Sequence, residues 1–277
     1  MDSGVGIVRL WVLGSGSKGN ALLVECDGQR ALVDVGFPLR AMEARLRAVG
    51  VAPESVDAAV ITHEHGDHIC GAARSARRWG WALHATAGTI AVSHSLREVS
   101  ATAFEAGATL ELDTMRIQTT PTSHDARESV ALVLTSRRTG ARLGIAYDLG
   151  AVTLNVVRAL RDVDTLVVET NHDAVMLRNG PYPRSVQNRI ASRRGHLENR
   201  DGATLARECM HAGLRQLVLA HVSENCNTPA AAHAEVTRVM KRTRFRGRID
   251  VAKQRTIMGP YDVGGGRTDG VQLELTL

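Results

Sequence analysis

The chain has 277 residues, 44% of them hydrophobic and 23% charged, the balance of an ordinary soluble globular protein. No cationic N-terminal segment precedes an apolar core and the apolar runs are short, so neither a signal peptide nor a membrane span is expected, and the expected location is cytoplasmic. A net charge of +5 suits a polyanionic partner, but 3% aromatic content disfavours a binder that works by stacking bases; a nucleic-acid substrate would be held by its phosphates. Cys26, Cys70, Cys209 and Cys226 form no C-x-x-C pair and read as reduced thiols.

In chain order, residues 7–13, 21–26 and 31–35 read as strands, short, β-branched and bounded by turn residues. Between the first two lies Gly14-Ser15-Gly16-Ser17-Lys18-Gly19-Asn20, which matches G-x-G-x-x-G. A dinucleotide site needs a helix after those glycines, and here a strand follows, so a tight functional loop between antiparallel strands is expected. A helix is expected over 38–49, with Leu39, Met42, Leu46 and Val49 on one face and Gly50 as its stop. Residues 57–62 predict a strand, 69–79 a helix, 82–85 a strand and 89–96 a helix. From 108 to 148 the pattern turns to β, with strands over 109–112, 115–119, 130–134 and 142–147 and a hairpin turn at 137–140. Helices follow over 154–160, 183–194, 202–213 and 229–242, with strands over 165–168, 217–220, 249–258 and 271–276. This double succession of β-rich and helical stretches fits an α/β fold in which two mixed sheets face each other with helices outside, one domain over 1–277.

One stretch concentrates chemistry. Val60-Ile61-Thr62-His63-Glu64-His65-Gly66-Asp67-His68 carries three imidazoles and a carboxylate in six positions after a predicted strand. Extended backbone sends alternate side chains to one side, so His63 and His65 can reach one metal ion, and a turn at Gly66 lets Asp67 and His68 address a second. Neutral imidazole with a carboxylate suits Zn²⁺ or Mn²⁺, with iron a further alternative.

The order His-x-His-x-Asp-His resembles the signature of metallo-β-lactamase-fold hydrolases. Gly14–Asn20, Ser123-His124-Asp125-Ala126, Glu169-Thr170-Asn171-His172-Asp173, Gly195-His196-Leu197 with Asn199, and His221-Val222-Ser223-Glu224-Asn225 together resemble the WalJ/YycJ-like branch. The resemblance implies a site for two divalent ions held by His63, His65, Asp67, His68, His124, Asp148 and His221, the last three each at the end of a strand. It implies 5′-to-3′ exonuclease-like hydrolysis of DNA. Glu198 stands where that branch has serine, and Cys226 where a second asparagine is usual.

Two cations would acidify the attacking water and neutralise phosphate oxygens, with Asp67 able to orient that water as well as bind metal. The leaving oxygen needs a proton, and His196 is the candidate donor. Ser15, Ser17, Asn20, Asp34, His172, Asn199, Arg193 and Arg194 are candidates for holding phosphate or supporting the ligands, Asp34 by hydrogen bonds to the His-rich loop rather than to metal. DNA is the expected partner and no membrane is; self-association is left open. A small-molecule hydrolase of the same fold, acting on a cyclic phosphodiester, thioester or lactone, and an RNA-processing nuclease are the competing readings.

Overall fold

The computed structural model describes residues 8–264 and the backbone of 271–274. Its strands are β1 (Val8–Gly14), β2 (Ala21–Cys26), β3 (Gln29–Val33), β4 (Ala58–Ile61), β5 (Ala82–Thr86), β6 (Thr102–Phe104), β7 (Thr109–Glu111), β8 (Met115–Pro121), β9 (Val130–Ser136), β10 (Arg142–Ala146), β11 (Thr165–Glu169), β12 (Gln216–Ala220), β13 (Arg248–Val251), β14 (Thr256–Val263) and β15 (Val271–Glu274). The helices are α1 (Leu39–Ala48), α2 (Gly66–Ile69), α3 (Ala72–Trp79), α4 (Ala87–Val92), α5 (His94–Arg97), α6 (Leu154–Leu160), α7 (Ala174–Arg178), α8 (Arg184–Ile190), α9 (Asn199–Glu208) and α10 (Pro229–Met240).

The strands form two mixed sheets, ordered β15-β14-β1-β2-β3-β4-β5-β6 and β13-β12-β11-β10-β9-β8-β7. Alternation along each strand explains the layering. Leu10 and Val12 of β1, Leu22 and Val24 of β2, Leu132 and Leu134 of β9 and Leu143 and Ile145 of β10 meet in one core between the sheets. Their neighbours Trp11, Leu13 and Leu23 face the opposite way, onto Met42 and Leu46 of α1 and Ala72 and Ala76 of α3. On the second sheet Val133, Ala146, Leu166, Val168, Leu217 and Leu219 turn outward onto α6, α9 and α10. Strands apolar on both faces belong to covered sheets, and this is the expected αβ/βα sandwich.

Several boundaries differ from the sequence reading. Residue 7 of the first expected strand, and 275–276 of the last, lie outside the described residues. The helix expected over 69–79 is broken at Cys70-Gly71, where a side chain on Gly71 would meet the Phe37 carbonyl at 2.0 Å. The single strand expected over 249–258 is two, because β13 pairs in parallel with β12 while β14 crosses to the other sheet and runs antiparallel to β1. The helix expected to 194 stops at Ile190, where the chain folds back so that the His196 amide donates to the Ile190 carbonyl at 2.8 Å.

Candidate metal centre and its surroundings

The ends of six strands converge on one rim. Ser15 follows β1, Asp34 follows β3, His63 follows β4, Asp148 follows β10, Glu169 ends β11 and His221 follows β12. Asp34, Asp148 and His221 all have left-handed backbone, with φ of 61°, 56° and 53°. That conformation is uncommon outside glycine, and three such residues at one rim mark a place where the fold bends the chain to aim side chains.

Among the described residues, donor atoms lie within 4.8 Å of one another inside each of four sets: His63, His65 and His124; His63, His68 and Asp148; Asp67, His68 and His221; and Asp148, Glu169, His196 and His221. The first three sets overlap through His63 and His68. His63 Nε2 and both Asp148 oxygens are buried without a hydrogen-bond partner. Asp148 Oδ2 comes within 2.6 Å of His68 Nε2, and Oδ1 within 3.0 Å of His196 Nδ1, but neither contact has hydrogen-bond geometry. Buried orphans of this kind are costly unless a cation takes them up, so the donor set fits divalent metal.

Three of these imidazoles are held from behind, as ligating histidines usually are. His68 Nδ1 donates to Asp34 Oδ2 at 2.7 Å, leaving Nε2 toward Asp148. His124 Nδ1 donates to the Gly195 carbonyl at 2.9 Å, leaving Nε2 3.2 Å from His65 Nδ1. His221 Nδ1 faces the Asn171 amide at 3.0 Å and its Nε2 lies 3.3 Å from Asp67 Oδ2. The loop after β4 is a helical turn from Gly66, so Asp67 and His68 leave the strand direction, and the His68 ring stays 4.1 Å from that of His63.

Burial holds His63 well below, and His124 below, the usual histidine range, so both are neutral, the form that binds metal. At Asp67 burial opposes ionisation, but hydrogen bonds from His221 and His68 outweigh it and keep the carboxylate ionised. Burial likewise opposes charge on Asp148, and His221 and His68 outweigh it. The centre is therefore a neutral nitrogen end joined to a carboxylate-rich end.

The Gly-Ser loop supports this centre and is followed by β2, not by a helix. Ser15 Oγ accepts the His221 amide at 2.8 Å, and Asn20 Nδ2 donates to Asp67 Oδ2 at 3.3 Å and lies 3.1 Å from His68 Nε2. Ser17 is exposed on the loop. Asp34 accepts from Thr62 N at 2.8 Å and from the Tyr147 hydroxyl at 2.7 Å, besides His68. Arg194 Nε donates to the His124 carbonyl at 3.3 Å, and the Arg193 carbonyl accepts from Ser123 Oγ at 2.5 Å, with both guanidinium groups on the surface. Asn199 is not on the centre; it is buried and exchanges hydrogen bonds with Asn227, whose amide also donates to the carbonyls of Thr170 and Asn171. His172 is buried at 3% exposure with Nδ1 unpartnered, and burial pushes its pKa down to about 4.

Glu169, Tyr147 and Asn171 were given no individual role by the sequence reading. Glu169 is fully buried and accepts from His196 Nδ1 at 2.8 Å. Burial opposes charge on His196, but Glu169 and Asp148 outweigh it and push the pKa up to about 10. A cation on Asp148 counteracts the Asp148 share of that effect. A glutamate ending an apolar strand, in a motif that also holds Asn171 and His172, was the available signal.

Residues 14–134 match the model of the metallo-beta-lactamase superfamily. With the sandwich fold and the His/Asp clusters, that makes the chain a member of the metallo-β-lactamase superfamily. Over 238 residues it is 30% identical to exodeoxyribonuclease YycJ of Bacillus anthracis, covering 84% of this chain and 89% of that one. It is 31% identical over 228 residues to exodeoxyribonuclease WalJ of Streptococcus pneumoniae (strain D39), covering 80% and 84%. Within the superfamily the chain thus falls in the WalJ/YycJ-like branch. The solved structure of the metallo-beta-lactamase fold protein YhfI from Bacillus subtilis has the same fold, with a TM-score of 0.71 at 18% identity, covering 90% of this chain and 98% of that one. Among the described residues no helix is long and apolar enough to cross a membrane.

Proposed function

We propose that the protein is a metal-dependent phosphodiester hydrolase that degrades DNA from a 5′ end. The observation that carries the hydrolase reading is the overlap of a His63–His65–His124 set with an Asp67–His68–His221 set, joined by His63, His68 and the orphaned Asp148, with the Glu169–His196 pair beside them. The exodeoxyribonuclease names of YycJ and WalJ support DNA over other phosphodiesters.

In this reading His63, His65, Asp67, His68, His124, Asp148 and His221 would hold two divalent ions. The ions supply charge neutralisation for the phosphate and acidity for the attacking water. Asp67, kept ionised by its histidine neighbours, orients that water. His196 keeps one face on Glu169 through Nδ1, which leaves Nε2 to hand a proton to the leaving oxygen. Arg193 and Arg194 line the rim for phosphate contact.

The test is digestion of end-labelled, 5′-phosphorylated duplex DNA with Zn²⁺ or Mn²⁺, beside RNA, a cyclic phosphodiester, a thioester and a lactone. Stepwise release of nucleotides from the 5′ end is expected. Intact DNA alongside rapid turnover of one of the other substrates would transfer the site to that substrate.

A further inference from the structure

The positive excess of this chain is concentrated in one short stretch. Between Lys241 and Arg255 there are seven lysines and arginines and one acid, Asp250, a net charge of +6. The whole chain carries +5, so everything outside this stretch sums to −1. Charge gathered in this way is the footprint of a polyanionic partner rather than a property of the surface as a whole.

The fold lays that stretch along one edge. β13 is the outermost strand of its sheet and pairs in parallel with β12, Gln216 beside Arg248 and Leu219 beside Val251. Since β12 leads directly into His221, the Val251 end of β13 lies toward the metal rim and the Arg248 end at the opposite side of the sheet. Gln254 fixes the near end. Its Oε1 accepts the Lys18 amide at 2.7 Å and its Nε2 donates to the Gly19 carbonyl at 2.9 Å, so exposed Lys253 and Arg255 flank a residue that touches the Gly-Ser loop. The far end is also anchored. Thr243 Oγ1 donates to the Met240 carbonyl at 2.7 Å, Phe245 packs against the outer core, and a side chain on Gly247 would meet the Arg215 carbonyl at 2.1 Å. Exposed Arg242, Arg244 and Arg246 alternate with half-buried Thr243, Phe245 and Gly247, so three arginines stand out from a fixed turn. The C-terminal end of α10 accounts for cations at Lys241 and Arg242, but Arg244 and Arg246 lie beyond it. Asp250 is taken by Arg248 at 2.8 Å and by Gln216 at 3.0 Å.

From Arg246 to Lys253 is roughly 20 Å at the rise of an extended strand, the length of about six base pairs. Phe245 is the stretch's only aromatic residue and is turned inward, so contact is with backbone phosphate and not with stacked bases. We infer that this edge is a docking track for the phosphate backbone of duplex nucleic acid, holding the body of the molecule while its end lies at the metals. The track rests on the nuclease reading above and adds to it that affinity grows with duplex length beyond the part that reaches the metal centre.

The experiment compares DNA hairpins of about 6 and about 20 base pairs that share one 5′ end. The proteins are metal-loaded wild type, the combined variant Arg242→Gln, Arg244→Gln and Arg246→Gln, and the same three positions changed to lysine. Phosphorothioate linkages at the 5′ end keep the DNA intact while fluorescence anisotropy is read across a salt series, and unmodified hairpins report cleavage. Wild type is expected to bind the long hairpin about tenfold more tightly than the short one or better. The glutamine variant should lose most of that advantage and lower the slope of log affinity against log salt by roughly 2 to 3, with binding and cleavage of the short hairpin unchanged. The lysine variant should keep both, since phosphate is held here by charge. An undiminished slope in the glutamine variant, or equal affinity of wild type for the two hairpins, overturns the track. Polyglutamate competing as well as DNA of equal charge overturns the nucleic-acid assignment in favour of an acidic protein partner. Track-dependent binding without cleavage of DNA overturns the nuclease reading and leaves the track standing.

Discussion

Glu169 Oε1 accepts His196 Nδ1 at 2.8 Å while its other oxygen accepts the amides of Leu149 at 2.7 Å and Leu197 at 3.3 Å. Those two residues follow Asp148 and His196 directly, so one buried carboxylate sets the position of a candidate metal ligand and of a candidate acid together. Glu169→Gln keeps the shape and removes the charge. The expected outcome is a loss of DNA cleavage of about 10²–10⁴-fold, with His196→Ala falling in the same range. Metal content by mass spectrometry should stay at the wild-type level in both. Loss of metal in His196→Ala would make His196 a ligand, an alternative its place in the Asp148, Glu169, His196 and His221 set makes concrete.

Asp34 behind His68 gives a second prediction. Its oxygens accept from Thr62, His68 and Tyr147, all buried, and no water-facing group competes for them. Burial raises the Tyr147 hydroxyl well above its usual range, with Asp34 adding to the effect, so it remains a donor at any working pH. Asp34→Asn should weaken metal binding about 10–100-fold, measured by competition with a chromogenic chelator. Tyr147→Phe should act in the same direction with a smaller effect, since it removes one of several bonds. An unchanged metal affinity in Asp34→Asn would show that packing alone orients His68.

Much of this centre was legible because its residues are contiguous or end strands. His63, His65, Asp67 and His68 lie within six positions, and the short apolar runs of β1, β2, β9 and β10, bounded by turn residues, read as strands. What escaped depends on distance in the chain. The partners of Glu169 lie 20–28 residues away, and Tyr147 meets Asp34 across 113 residues, pairings that no local pattern encodes. β6 has three residues, too few to show a period, and the crossing from β13 to β14 is set by which sheet edge is open. Asn199 has the composition of a site residue, but its side chain is spent on Asn227.

Gly36 gives a prediction about how the loop and the metal turn are joined. The Gly36 amide donates to the Asn20 carbonyl at 2.9 Å, and the Asn20 amide to the Asp67 carbonyl at 2.8 Å, so three segments cross at van der Waals distance. A β-carbon on Gly36 would stand 1.8 Å from the Asp67 oxygen and 2.6 Å from the Asn20 nitrogen, both backbone atoms that cannot turn aside. Gly36→Ala should cost about 3 kcal/mol or more, seen as a lower Tm, and should reduce metal binding beyond what the loss of stability explains. A variant as stable as wild type would mean that these segments separate readily.

A buried thiol outside the metal centre contributes to alkaline stability. Cys209, 1% exposed at the end of α9, has its thiol pushed by burial from 9.0 up to about 12. Burial raises the Tyr261 hydroxyl in the same direction. Between pH 9 and 12 the unfolded chain has released the Cys209 proton and the folded chain has kept it, so the folded state binds more protons and stability falls as pH rises. The loss attributable to Cys209 is at most about 4 kcal/mol across that window, and below pH 9 the contribution is fully present. Urea unfolding of wild type and Cys209→Ala side by side, both in chelator so that the metal-centre groups titrate alike, isolates this decline from pH 9 upward as the difference between the two. Cys209→Ala should flatten it without changing the slope below pH 9, and an identical alkaline decline in that variant would assign the effect to the buried hydroxyls of Tyr147 and Tyr261 instead.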